Sequence, residues 1–143
     1  MERFVTKADI SIEVVDDKGV VTDTLGFSSV EHLCRHLRHN ALPEGRAYSL
    51  PKGLDLRGGY LRRARLAGAH MPGVILEGVC LSEADLSGAY LDGANLNGAS
   101  VKAACLRGAR LVGAKLVAAG MWWANLAGAD LEEADLRHVN FNG

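Results

Sequence analysis

The side chains able to do chemistry in this 143-residue chain fall into four groups. His32, His36 and His39 line one side of an expected helix, and His32 and His36 have the i, i+4 spacing that metal sites use. No carboxylate completes a ligand set, and Cys34 falls on the apolar side, so a solvated helix face is expected and no metal is assigned. Cys34, Cys80 and Cys105 follow no metal spacing, and their odd number points to a reducing compartment without a disulfide framework. Arg57, Arg62, Arg63, Arg65 and His70 crowd one stretch, and Asp130, Glu132, Glu133 and Asp135 another. Each cluster can serve ion pairing or an oppositely charged partner, with Arg62 expected to be the least neutralised. Trp122 and Trp123, the only tryptophans, follow Met121 directly. Indoles left in water are costly, and they are enriched at interface hot spots. There is no Gly-rich phosphate loop, and no nucleophile stands beside a base and an orienting acid, so neither catalysis nor a cofactor is expected.

The element that positions most of these groups is a repeat. Residues 54–143 divide into eighteen pentapeptides in one frame. The centre is Leu in fourteen units and otherwise Met71, Val101, Met121 or Phe141. Ala stands two residues before the centre in thirteen units, and Gly two residues after it in eleven. A period of five fits neither an amphipathic helix nor a half-buried strand. It requires a solenoid in which each coil buries its apolar side chains against the next.

Units such as Ala84-Asp85-Leu86-Ser87-Gly88 and Ala94-Asn95-Leu96-Asn97-Gly98 resemble the A(D/N)LXX consensus of the pentapeptide-repeat family, over about two thirds of the chain. The resemblance implies an all-β solenoid, a right-handed quadrilateral β-helix with four units per coil and about four and a half coils. It implies that Ala and Leu point inward and the other three positions outward. Residues twenty apart then stack, and every charged pair at that spacing is opposite: Arg57/Glu77, Arg63/Glu83, Arg65/Asp85, Arg110/Asp130 and Lys115/Asp135. Only seven units carry Asp or Asn before the centre. The units from Met71 to Leu81, with Pro72, Val74 and Val79, are the least regular, and a local irregularity is expected there.

Residues 1–53 read as an N-terminal cap. Ile10, Ile12 and Val14 alternate with polar residues as a strand, Asp16 to Gly19 as a turn, and Val20 to Leu25 as the returning strand. Ser28 to Glu31 resembles a capping box, and Val30, Leu33, Cys34 and Leu37 share one face of a helix from about Ser29 to Asn40. Pro43 and Gly45 end it. Such a hairpin and helix would shield the first coil; alternatively the hairpin edge recruits a partner by strand addition.

Net charge is −1, and residues 54–143 carry nine basic and nine acidic groups, so neither nucleic-acid binding nor DNA mimicry by bulk charge is expected. Met1 to Ile10 lacks the apolar stretch of a signal peptide, and no run is long enough to span a bilayer, which makes a cytoplasmic protein the expectation. The expected function is a non-enzymatic protein-interaction module, with the two charge clusters as candidate partner surface. The family resemblance adds that members dimerise through their C-terminal coils, making Met121, Trp122, Trp123 and Phe141 a candidate homodimer interface, with no capping segment expected after Gly143. It also adds an alternative: some members mimic DNA and bind type II topoisomerases such as DNA gyrase, giving quinolone resistance. A phage or mobile-element protein acting on a host factor is a third reading.

Overall fold

The computed structural model describes residues 9–143, so most of the segment read for a signal peptide lies outside the described residues. The repeat forms a right-handed quadrilateral β-helix. Parallel bridges join residues twenty apart, as in Tyr60, Cys80, Ser100, Gly120 and Asn140. The four faces carry the centres Leu56 to Leu136 (face 1), Leu61 to Phe141 (face 2), Leu66 to Leu126 (face 3) and Met71 to Leu131 (face 4), each advancing by twenty. Between coils the amide of each centre up to Met121 donates downward, as Leu86 N–H does to the Cys105 carbonyl at 2.7 Å. The amide before it donates upward, as Asp85 N–H does to the Ala64 carbonyl at 3.0 Å.

Each corner is a β-turn in which the amide two before a centre donates to the preceding centre, Ala84 N–H to Leu81 O at 3.0 Å. The second central residue of that turn has positive φ in every unit, which is where the eleven glycines stand. Inside, Leu56, Leu61, Leu76, Leu86 and Leu91 are 0% exposed, and the intervening alanines leave room for them. Each buried Leu contributes about 1.5–3 kcal/mol of transfer free energy.

The irregularity expected near Pro72 does not occur: His70, Ile75 and Cys80 keep the bridging register, and Val74 and Val79 are buried. Pro72 stands at the first central position of its turn, followed by Gly73 at φ +62°. Proline is favoured there, and the amide it lacks takes no part in coil-to-coil bonding.

Ahead of the repeat lie strands β1 (Ile10–Asp16) and β2 (Val21–Phe27), helix α1 (Val30–His39) and a third strand, β3 (Arg46–Ser49). The strand order is β2-β1-β3, all antiparallel, and β3 also bridges His70 through Ser49. The sheet therefore runs on into face 4, and Tyr48 and Leu50 already occupy solenoid positions: His70 N–H donates to Tyr48 O, and Leu50 N–H to His70 O.

Helix α1 lies across the start of faces 2 and 3. Leu33, Cys34 and Leu37 join the core of Leu56, Leu61 and Leu66, and Arg65 N–H donates to the last-turn carbonyl of Leu37 at 2.9 Å. Gly59 replaces the usual Ala because a Cβ would lie 2.6 Å from Cys34 Sγ and 2.9 Å from the Leu56 carbonyl. The helix cap is shifted by one from the expected box. Ser29 Oγ accepts from His32 N–H, while Glu31 pairs with Arg35. Among the described residues no helix is long and apolar enough to cross a membrane.

Candidate interaction face

The acidic and amide residues before the centres do a local job first. Each of the seven (Asp55, Asp85, Asn95, Asn125, Asp130, Asp135 and Asn140) accepts from the backbone N–H two residues on, at 3.0 to 3.2 Å. That bond turns the side chain along its own coil, and so most of the expected stacked pairs do not form. Arg57 pairs with Asp55 at 2.7 Å, Arg137 with Asp135 at 2.8 Å, and Arg110 with Asp92 at 2.8 Å. Of the five stacked pairs, only Arg63–Glu83 closes, at 2.8 Å. The Arg57 guanidinium and amide hold the Asp55 carboxyl at about 2.

The charge clusters lie at diagonal corners of the rod. Asp130, Glu132 and Glu133 end face 4, and Asp135 ends face 1 beside Arg137. Arg57 begins face 1, Arg62 and Arg63 begin face 2, and Arg65 begins face 3. Arg62 is not the least neutralised: Glu83, one coil on, takes both Arg62 (2.7 Å) and Arg63 (2.8 Å), and their hydrogen bonds hold its carboxyl below the usual range. Arg65 makes no ion pair among the described residues; Asp85 beside it turns to the backbone and hydroxyl of Ser87 instead.

The tryptophans divide. Trp122 is half-buried, its ring folded over Gly120, where a Cβ would collide with it. Trp123 is 61% exposed, with Lys102 Nζ 5.1 Å from its ring centroid. Met121 is a core residue at 2% exposure, so within the candidate dimer interface only Trp123 and Phe141, at 47%, are open to solvent.

Sixty residues separate Arg62 and Arg63 from Trp122 and Trp123, three turns of the coil, so both groups stand on face 2. A groove of about 490 Å³ joins them, lined by Tyr60, Arg62, Ser82, Glu83, Lys102 and Trp123. It meets a second hollow, of about 380 Å³, where α1 adds Arg38 and His39 to Tyr60, Arg62, Arg63 and Arg65. Arg38 donates to the Tyr60 carbonyl and lies 5.1 Å from the Tyr60 ring centroid. Sequence reasoning missed Tyr60, Lys102 and the helix residues. Counting in twenties would have placed the first two on the Trp123 face, whereas nothing in the sequence says where α1 docks.

His36 is not on a solvated face. It is wedged between Phe27 and Tyr48, at ring-centroid distances of 5.1 and 5.8 Å. Among the described residues no group of His, Cys, Asp or Glu is placed to hold a metal ion. Cys34 is buried, and burial raises its thiol pKa, which disfavours the nucleophilic thiolate.

The comparisons with known proteins match this architecture. No curated protein sequence matches the chain. Among solved structures, the pentapeptide repeat protein Rfr23 from the cyanobacterium Cyanothece 51142 is 36% identical, with a TM-score of 0.63 over 64% of this chain and 63% of that one. A pentapeptide repeat protein from the Arabidopsis thaliana thylakoid lumen is 33% identical, with a TM-score of 0.59 over 60% of each chain. QnrB1, a plasmid-mediated fluoroquinolone resistance protein, is 24% identical, with a TM-score of 0.55 over 63% of this chain and 46% of that one, and shares the fold. The match thus spans less than two thirds of the length of each of these structures. The family model of pentapeptide repeats matches residues 52–88, 80–116 and 104–143 in eight copies. The five-residue frame, the four-sided coil and this match agree: the chain belongs to the pentapeptide repeat family.

Proposed function

We propose that the chain is a non-enzymatic interaction module that holds a protein partner against face 2. The observation that carries this reading is the union of Arg62 and Trp123 in one groove on face 2, with Arg63 in the hollow that adjoins it. The rod is stiff, because every coil bonds to its neighbours through backbone amides, so docking orders little and costs little entropy. An exposed indole and a guanidinium pair along one groove are residue types enriched at interface hot spots. The three free cysteines support a reducing, cytoplasmic setting.

The test is capture of the partner by the native chain and by three surface variants. Arg62→Glu and Trp123→Ala should each weaken capture by about 2 kcal/mol, roughly thirtyfold. Lys115→Glu, on face 1, should leave it unchanged. Equal capture by all four proteins would sink the assignment of face 2.

Dimerisation through the last coil belongs to the same reading. The topoisomerase alternative has weaker support. A DNA mimic needs a continuous acidic face, and the nine carboxylates of the repeat are spread over all four: Asp55, Glu77 and Asp135 on face 1, Glu83 on face 2, Asp85 on face 3, and Asp92, Asp130, Glu132 and Glu133 on face 4. Only the end of face 4 clusters them.

A further inference from the structure

We infer that the face 2 groove takes an extended acidic segment of a partner protein. Its carboxylates would meet the arginines at the α1 end, and an apolar side chain would meet Trp123. The inference rests on the interaction-face reading above and adds the chemistry of the occupant.

Charge is strongly segregated on this face. The whole chain carries −1, yet the two adjoining hollows are lined by Arg38, Arg62, Arg63, Arg65 and Lys102 against the single carboxylate of Glu83. Glu83 is shared by two guanidinium groups. Arg38, Arg65 and Lys102 make no ion pair among the described residues. Guanidinium groups are suited to carboxylates, which they bind through two parallel N–H donors. Arg38 is already fixed by the Tyr60 carbonyl and ring, so ordering it costs a ligand little.

Basic grooves with aromatic rings also bind single-stranded nucleic acid, but they do so by offering open ring faces for stacking. Here Arg38 lies over the Tyr60 ring and Lys102 over that of Trp123. Gly143 abuts the pyrrole side of the same indole, where a Cβ would collide with it. Each ring thus already has a cation on one face, with which a stacking base would compete.

The dimensions suit a short extended chain. Tyr60 and Gly120 are three coils apart, about 14 Å at the inter-strand spacing, which about four extended residues would span. The floor between them is made of the small side chains of Cys80, Ser82 and Ala103, so a peptide backbone can approach closely.

The experiment is fluorescence anisotropy with the full chain and three labelled probes: an oligoglutamate peptide ending in leucine, its glutamine counterpart, and an oligothymidylate of matching length. The acidic peptide should bind at least about tenfold more tightly than the other two, and its binding should weaken as salt is added. Binding should quench or shift tryptophan emission, a change absent in Trp123→Phe. Arg62→Glu and Arg65→Glu should each weaken it about tenfold. Arg107→Glu, a charge reversal on face 3, should not. Equal binding of the acidic and glutamine peptides overturns the inference, as does tighter binding of the oligothymidylate. Equal weakening by Arg107→Glu would reduce the effect to bulk charge and also overturns it. Concentration-dependent self-association abolished by Arg62→Glu would make the occupant a second copy and refute the partner segment. If no acidic peptide binds while Arg62→Glu and Trp123→Ala still abolish partner capture, this inference falls and the face 2 reading stands. Intact capture by those variants removes both.

Discussion

The second residue after each centre decides how easily the coil turns. It has positive φ in all eighteen units, and seven of them place a side chain there at φ 55° to 60°, among them Ala118 and Trp123. An L-residue in that region costs about 1–2 kcal/mol, partly offset where it replaces glycine because glycine loses more freedom on folding. Gly98 isolates the effect, since its φ is +65° and an added Cβ would meet nothing within 4 Å. Gly98→Ala should therefore destabilise by about 1 kcal/mol through backbone strain alone. Ala118→Gly, at φ 57°, should stabilise by about 0.5 kcal/mol. Urea denaturation reads both, and midpoints moving in the same direction would defeat the turn-strain account. The Asp and Asn residues before the centres follow similar local logic. Their spacing was visible in the sequence. Their preference for the amide two residues on, over a cation one coil away, was not, because it depends on a turn geometry that only the folded coil creates.

Ahead of the repeat, His36 joins three elements. Its Nδ1 lies 3.2 Å from the Asn40 amide nitrogen and its Nε2 3.3 Å from the Tyr48 hydroxyl, which itself donates to the Asn40 carbonyl at 2.9 Å. Phe27 of β2 closes one side of the ring. Nδ1 therefore accepts and Nε2 donates, the neutral form. Burial first, and His32 second, lower its pKa from 6.5. A histidine whose pKa is lower folded than unfolded gives stability that is complete above 6.5 and is lost as pH falls below it. The ellipticity of α1, the one helix among the described residues, should thus melt earlier about one unit below pH 6.5 than above it. His36→Gln should flatten that dependence, and an unchanged slope would show that another group sets it. The hairpin and helix were legible because alternation and helical spacing run over several residues. Strand β3 was not, because Arg46–Ser49 is four residues long with only Tyr48 buried. It also enters the coil one residue out of frame: Ser49 bridges His70, twenty-one residues on, where the repeat advances by twenty.

At the scale of the molecule, the frame of five gave away the coil, and the count of twenty gave away its faces. Which face carries the groove was hidden, because that depends on where α1 docks and on how Trp122 folds over Gly120. The last described coil carries the last expectation. Leu106, Leu111 and Leu116 are at most 2% exposed, and their amides donate to Asn125, Asp130 and Asp135 at 2.7 to 2.8 Å. One coil on, Leu126, Leu131 and Leu136 are only partly buried, Phe141 is 47% exposed, and the corresponding amides find no acceptor among the described residues. An apolar rung with free donors is an edge that pairs readily. The Ala124, Ala129 and Ala134 carbonyls also find no donor among the described residues, unlike those of Ala104, Ala109 and Ala114, so a two-fold axis could set the donors of this rung against the acceptors of its own copy. Light scattering should then give twice the chain mass at micromolar concentration, and exchange of the Leu126, Leu131 and Leu136 amides should slow as concentration rises. Phe141→Glu, which places a charge at the middle of that contact, should weaken the dimer by roughly 2 kcal/mol, about thirtyfold, and Lys115→Glu should not. A native chain that stays monomeric at high concentration, with fast exchange at all three leucine amides, would leave the last coil without a second copy as its cover.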